Sequence, residues 1–226
     1  MTLLIAILAY NEEDTIAMTV ADVIKHVRDP KIVVIDDGSI DTTRSIVESL
    51  PVEVISLPFN CGIGIALKTA LLFGIENGFD SILTMDADGQ HSASEIRKLL
   101  DEAQEKNIVI GVRNYNDYKF SIVRKLGHRI LVRILATRSS ILITDPTSGF
   151  RVFSRFAATK VVNEIDSEYL EDTVGILRRL NGLQISVTQV TVRMKPRQGG
   201  IPSSRGFQLA KRYVLALIMI LIGRKP

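Results

Sequence analysis

The tightest constraint on this chain is an unbroken strand–helix alternation through its first 111 residues. Residues 3–8 form a continuous apolar run, the mark of a parallel strand covered on both faces. Residues 11–27 follow with helical spacing: Ile16, Val20, Val23, Ile24 and Val27 share one face, and the pattern stops before Pro30. The same reading predicts strands over 31–36, 52–57, 81–85 and 108–111. It predicts helices over 41–50, 63–77 and 94–106, with Asp41 and either Ser92 or Ser94 as caps. Alternation at this pitch makes a doubly wound α/β sheet with right-handed crossovers, in which ligands bind at the carboxyl ends of the strands.

Polar clusters fall at those ends. Tyr10-Asn11-Glu12 follows the first strand, Asp36-Asp37-Gly38-Ser39 the second and Asn60-Cys61-Gly62 the third. Asp86-Ala87-Asp88 follows the fourth and Arg113 the fifth, so all five tips present polar groups to one rim. Beyond Gly111 the pattern changes. Helices are expected over 120–138, 167–180 and 207–222, a turn at 145–150 feeding a short strand and a helix, and a strand over 184–194.

The motifs carry chemistry of different weight. Two carboxylates one residue apart at a strand end, Asp86 and Asp88, can share a divalent cation that neutralises a diphosphate, and Gln90 can add a neutral oxygen. A capping Asp beside a turn Asp is the plain alternative. Gly38 permits a turn, whereas Asp37 has no helix to cap; it either bonds a nucleotide base or ribose or is a solvated turn residue. Gly62 and Gly64 open a helix whose free N–H groups suit a phosphate. Leu67 stands where a dinucleotide-binding fingerprint needs its third glycine, which counts against a dehydrogenase-type site. Lys68 either reaches a phosphate or is solvated, and Cys61 reads as a packing residue. Arg113 and Arg197 either neutralise a diphosphate or are ordinary surface arginines. Glu171 and Asp172 either favour a helix dipole or supply a general base.

Charge is unevenly spread along the 226 residues. Segments 118–144 and 193–226 hold fourteen of the 28 Lys and Arg and no acid, leaving fourteen against all 25 Asp and Glu elsewhere. A net +3 therefore hides a +14 zone and a −11 zone, and the basic zone suits an anionic surface. Helix 120–138 places Lys125, Arg129 and Arg133 opposite an apolar face, as an interfacial helix does. The nine apolar residues 214–222 span about 14 Å as a helix, too short for a hydrocarbon core of roughly 30 Å. No transmembrane span and no signal peptide are expected, and any membrane anchor is interfacial or borrowed from a partner. One cysteine and three histidines exclude a disulfide scaffold and a Cys- or His-based metal cage. Basic residues alternate with aliphatic rather than stacking aromatic ones, which disfavours nucleic acid as a partner.

AYNEED (9–14), VVIDDGSIDTT (33–43), NCGIGIALKTA (60–70), TMDADGQH (84–91), GVR (111–113) and DPTSGFRVF (145–153) together resemble family 2 glycosyltransferases. The similarity is greatest to the branch of polyprenyl- and dolichyl-phosphate sugar transferases. The resemblance implies one GT-A domain over 1–226, with a Rossmann-like, doubly wound, mostly parallel sheet and C-terminal amphipathic interface helices. Residues 1–113 would form the nucleotide-sugar half, 114–206 the acceptor half and 207–226 an amphipathic helix. It further implies a GDP- or UDP-linked sugar donor. Ala9, Tyr10, Glu12 and Asp37 would line the nucleoside pocket, with Gly62, Gly64 and Lys68 nearby. Asp86, Asp88 and Gln90 would hold Mg²⁺ or Mn²⁺, and Arg113 and Arg197 would cover the phosphates. Ser148, Gly149 and Arg151 match a motif near the acceptor, and YLED (169–172) matches the acidic motif only loosely.

The implied reaction is inverting transfer to a polyprenyl phosphate at the cytoplasmic face of a membrane, by a peripheral or monotopic enzyme. A lipid phosphate, with a second pKa of roughly 6, attacks unaided, whereas a sugar hydroxyl needs Asp172 or Glu171 as base. A glycan or glycolipid hydroxyl is the alternative acceptor. A nucleotidyltransferase would carry a Gly-rich Arg/Lys signature after the first strand, which 9–14 lacks. A non-catalytic membrane-tethered nucleotide binder has no need of Asp86, Asp88 and Gln90. The basic helices have a further alternative in packing on the sheet or in a homo-oligomer interface, and a membrane anchor protein is a further candidate partner.

Overall fold

A computed structural model describes residues 2–113, 132, 143–165 and 182–196. Seven strands form one sheet in the order β3-β2-β1-β4-β6-β5-β7. They are β1 (Leu3–Ala9), β2 (Lys31–Asp36), β3 (Glu53–Ser56), β4 (Ser81–Asp86), β5 (Asn107–Arg113), β6 (Arg151–Ser154) and β7 (Ser186–Val192). All pairings are parallel except those of β6, which runs antiparallel to both β4 and β5.

Alternate strand residues feed two cores, as the two-residue period of a strand requires. Leu4, Ala6, Val33, Ile35 and Ile82 face α3 (Ile63–Glu76) and α5 (Arg155–Val161). Ile5, Ile7, Val34, Leu83 and Met85 face α1 (Ile16–His26), α2 (Thr43–Glu48) and α4 (Ile96–Asp101). The sheet is thus covered on both sides, which explains why its strands read as continuous apolar runs.

Several boundaries differ from the spacing. The helix expected over 94–106 is a 3₁₀ turn at Ala93–Glu95 followed by α4, which ends at Asp101. Asn107 captures the chain there: its Oδ1 accepts the Gln104 N–H and its Nδ2 donates to the Glu102 carbonyl. Ser92 and Ser94 bond each other through their hydroxyls, and neither side chain caps the helix. The first helix begins only at Ile16, after Asn11 takes a positive φ of 53°. β5 extends to Arg113, and β7 starts at Ser186, after Gln184 turns with φ 56°.

The pairing register sets the site. Asp36 lies level with Ala9 on one side and Ser56 on the other, and Asp86 lies level with Leu8. Because β6 is antiparallel, its first residue, Arg151, pairs with Thr84, which brings turn 145–150 to the same rim. Among the described residues no helix is long and apolar enough to cross a membrane. The expected helices 120–138, 167–180 and 207–222, and with them Glu171, Asp172 and Arg197, lie outside the described residues.

Candidate functional site

Loop 86–91 is the centre of the rim. Asp88 is buried, and its two carboxylate oxygens accept the backbone N–H and the side-chain Nε2–H of Gln90, at 3.0 and 2.9 Å. Asp86, more open at 38% side-chain exposure, is set from two sides. Its backbone N–H donates to Nδ1 of the buried His91 at 3.0 Å. Its carboxylate lies against Gly149, where a Cβ would sit 2.6 Å from Oδ1 and 3.0 Å from Oδ2. Only a residue without a side chain allows that approach.

Turn 145–150 is built to hold Gly149 there. Ser148 is fully buried, with its hydroxyl donating to the Gly111 carbonyl. Arg151, 2% exposed, donates through Nε to the Ser148 carbonyl and through Nη2 to that of Pro146. Thr84 donates to the Gly149 carbonyl. Of the three residues expected near the acceptor, Ser148 and Arg151 are therefore buried supports of the turn, and Gly149 abuts Asp86.

At the other end of the rim, Tyr10, Ile40, Arg44 and Phe59 line a cleft of about 410 Å³ over the tips of β2 and β3. Ile40 and Phe59 are 87% and 67% exposed, unusual for large apolar side chains. Ala9 and Glu12 are buried and do not line the cleft. The Ala9 carbonyl accepts the Asp37 N–H, and the buried Glu12 accepts the Thr15 hydroxyl and donates its own N–H to Thr43.

Four of the expected residues, Asp37, Gly62, Lys68 and Arg113, have partners within the fold. Asp37 is neither solvated nor without a helix to hold: its carboxylate accepts the N–H groups of Cys61 and Gly62, at 2.8 and 2.9 Å, and pins the entry to α3. Burial raises its carboxyl above the ordinary range, and those two backbone bonds oppose the rise. The same bonds mean that the Cys61 and Gly62 amides are not open to a phosphate, although Gly64 sits in the first turn of α3. Lys68 is not simply solvated, because its Nζ donates to the Ile165 carbonyl. Arg113 is not a loose surface arginine: its Nε lies 3.5 Å from Asp145 Oδ2 and 3.2 Å from Met194 Sδ, with the side chain 12% exposed.

Sequence reasoning passed over His91, Asp145 and Phe59. His91 is the last residue of the DADGQH run, Asp145 opens the DPTSGF turn, and Phe59 is an aromatic between Pro58 and Asn60 in a polar loop. Each had a local signal. His91 and Asp145 gained their partners only through the fold.

His91 also gives the protein a pH dependence. Burial pushes its imidazole from the ordinary 6.5 down to about 4. The folded value lies below the unfolded one, so the unfolded chain takes up the extra proton between them. This contribution is complete above about pH 6.5 and is lost as pH falls towards 4, by about 2 kcal/mol between pH 7 and 5. Denaturant unfolding at those two pH values is expected to show a smaller decline in His91→Phe than in the wild type. An identical decline would contradict a buried neutral imidazole.

The sequence model of glycosyl transferase family 2 matches residues 4–162. A UDP-N-acetylglucosamine–dolichyl-phosphate N-acetylglucosaminyltransferase of Methanococcus voltae is 33% identical over 178 residues, covering 69% of this chain and 70% of the relative. A polyprenol monophosphomannose synthase of Mycolicibacterium smegmatis is 28% identical over 217 residues, covering 90% and 81%. Among solved structures, glucosyl-3-phosphoglycerate synthase from Mycobacterium tuberculosis, in complex with Mg²⁺ and uridine diphosphate, superposes with a TM-score of 0.71. That match is 20% identical and covers 98% of this chain and 78% of the other, a likeness of the GT-A fold.

Proposed function

The chain belongs to glycosyl transferase family 2, and we propose that it moves a sugar from a UDP- or GDP-linked donor to a polyprenyl phosphate at a membrane surface, with Mg²⁺ or Mn²⁺ bound. The observation that carries this reading is the shared rim: an open aromatic-lined cleft at the tips of β2 and β3, and a carboxylate loop at the tip of β4. A nucleotide-sugar has matching parts, an apolar base at one end and a diphosphate at the other. The names of the two relatives, which include dolichyl-phosphate and polyprenol monophosphomannose, support a lipid phosphate.

The residues present fit a hard divalent cation. Asp86 is held open against the Gly149 backbone, and Asp88 is oriented by Gln90. Among the described residues no three His, Cys, Asp or Glu converge. A site of two carboxylates and an amide oxygen is the kind that shares its remaining positions with diphosphate oxygens. Asp86, Asp88 and Gln90 would hold the ion, which as a Lewis acid offsets charge building up on the leaving diphosphate.

The transfer is one displacement. An acceptor phosphate oxygen forms a bond to the anomeric carbon as the bond from that carbon to the diphosphate breaks. The bonding pair leaves with the nucleoside diphosphate, and the anomeric configuration inverts. A phosphate that is mostly dianionic near neutrality has no proton to lose, so the reaction runs without Glu171 or Asp172 as base. Arg113, oriented by Asp145, adds positive charge on the phosphate side of the rim. The acid-free segments 118–144 and 193–226 supply the basic, amphipathic character that a peripheral enzyme needs on its lipid side.

Phe59 gives the base contact a direct test. Stacking on an aromatic side chain is worth about 1–3 kcal/mol per base, so Phe59→Ala should weaken UDP or GDP binding by roughly 5- to 160-fold. Because Phe59 is exposed, the melting temperature should stay within about a degree, surface changes being worth less than 0.5 kcal/mol. Calorimetric titration with the diphosphates would show it, and unchanged affinity would remove Phe59 from the base site.

The donor is tested by melting the protein with a panel of nucleotide-sugars, with and without Mn²⁺. A bound donor at a hundredfold excess over its dissociation constant adds about 2.7 kcal/mol. The expected result is a rise for UDP- or GDP-sugars that requires the metal. No rise across the panel would overturn the proposal.

A further inference from the structure

His91 is 2% exposed and makes its single described hydrogen bond through Nδ1, which accepts the Asp86 backbone N–H. That bond decides the tautomer: an Nδ1 that accepts has no proton, so the proton of the neutral ring is on Nε2. Nε2 is fully buried and has no hydrogen-bond partner among the described residues. An unmatched buried donor is rare in a native fold and unfavourable.

The ring cannot turn away to satisfy it. His91 stacks on Phe150 with centroids 5.0 Å apart and planes 14° from parallel, and its backbone bridges to Met194. Lys195 fixes the preceding residue by donating its N–H to the Gln90 carbonyl. Among the described residues the carboxylate paired with it is that of Asp86, with Oδ2 3.8 Å from Nε2; Asp88, Asp145 and Arg113 also act on the ring through their charges. That is a little beyond hydrogen-bond range.

We propose that His91 is a positioning residue for the cation site, whose Nε2–H takes the Asp86 carboxylate as its acceptor when that carboxylate turns to a divalent ion. The inference rests on Asp86 serving as a metal ligand. One ring then grips Asp86 twice, by its backbone N–H in every state and by its carboxylate in the loaded state. Ligating carboxylates are commonly steadied by such an outer hydrogen bond, and losing it typically weakens metal binding by about 10- to 100-fold.

Two substitutions separate the nitrogens. In His91→Asn the amide oxygen takes the place of Nδ1 and no donor remains at the Nε2 position. In His91→Gln the side-chain amide reaches the Nε2 position and the Nδ1 acceptor is lost. Mn²⁺ alone is titrated into each protein and free ion is read by electron paramagnetic resonance, with melting temperatures measured alongside. The expected result is a fall in Mn²⁺ affinity of about 10- to 100-fold for Asn and within about threefold of wild type for Gln.

Asn binding as tightly as wild type, or Asn and Gln losing affinity equally as their melting temperatures fall together, would overturn the proposal and leave His91 a packing residue. Wild-type protein that binds no Mn²⁺ would overturn it together with the metal reading, a result distinct from either.

Discussion

Asp86→Asn is expected to lower sugar transfer by on the order of 10³-fold while leaving the fold intact. The size follows from what one carboxylate does at this rim. The leaving diphosphate gains negative charge as the anomeric bond breaks, and charge stabilisation aimed at a developing anion is commonly the largest catalytic effect. Asparagine preserves shape and removes the charge that draws a hard cation. Stability should move by less than about 1 kcal/mol, because the side chain is partly open and its neighbour Asp88 is also acidic. Turnover and Mn²⁺ affinity should fall together. A variant that kept a tenth of its activity at saturating Mn²⁺ would remove Asp86 from the catalytic centre.

Gly38→Ala is expected to have the largest effect on stability. Gly38 has φ +68°, which an L side chain adopts at a cost of about 1–2 kcal/mol. The added Cβ would also lie 2.3 Å from the Phe59 carbonyl carbon, 2.5 Å from its Cα and 2.7 Å from the Asn60 nitrogen. These are backbone atoms, so no rotamer change relieves the clash. The loop cannot simply retreat, because Leu57 is bonded to Asp36 on one side and Cys61 to Asp37 on the other. Overpacking against fixed backbone adds about 1–3 kcal/mol, giving a total of about 2–5 kcal/mol. The melting temperature should fall by roughly 10 °C, and nucleotide affinity should weaken because Phe59 and Asn60 line the cleft. Thermal unfolding and calorimetry would measure both. A shift under about 2 °C would contradict the close approach.

These positions show how far residue pattern reaches. The five strands of the first half and the tips that carry Tyr10, Asp36, Asp86 and Arg113 were legible, because parallel strands buried on both faces leave an apolar run and a polar end. The direction of β6 was not, since four buried residues carry no alternation that distinguishes antiparallel from parallel pairing. The early end of α4 depended on Asn107 bonding back to residues 102 and 104. The motifs showed which residues gather at the rim but not how each is used. Asp37 holds the entry to α3, and Lys68 ties α3 to Ile165. Such uses depend on partners 24 to 97 positions away in the chain, and no local pattern encodes them.

The opposite also holds for Gly149. Its motif was visible, but its function as the surface against which Asp86 lies emerges only when antiparallel β6 carries turn 145–150 to the tip of β4. The placements of Asp86, Asp37 and Lys68 share one cause: the fold brings together residues distant in sequence.

Metal-assisted transfer to a lipid phosphate is tested by incubating the full chain with labelled UDP- and GDP-sugars, Mn²⁺, and either a polyprenyl phosphate or the matching polyprenol, with product stereochemistry read by nuclear magnetic resonance. The expected product is a sugar phosphodiester of inverted anomeric configuration from the phosphate acceptor alone, abolished by EDTA and restored by Mn²⁺. Product that forms equally well in EDTA, or sugar that appears only on the hydroxyl acceptor, would contradict it.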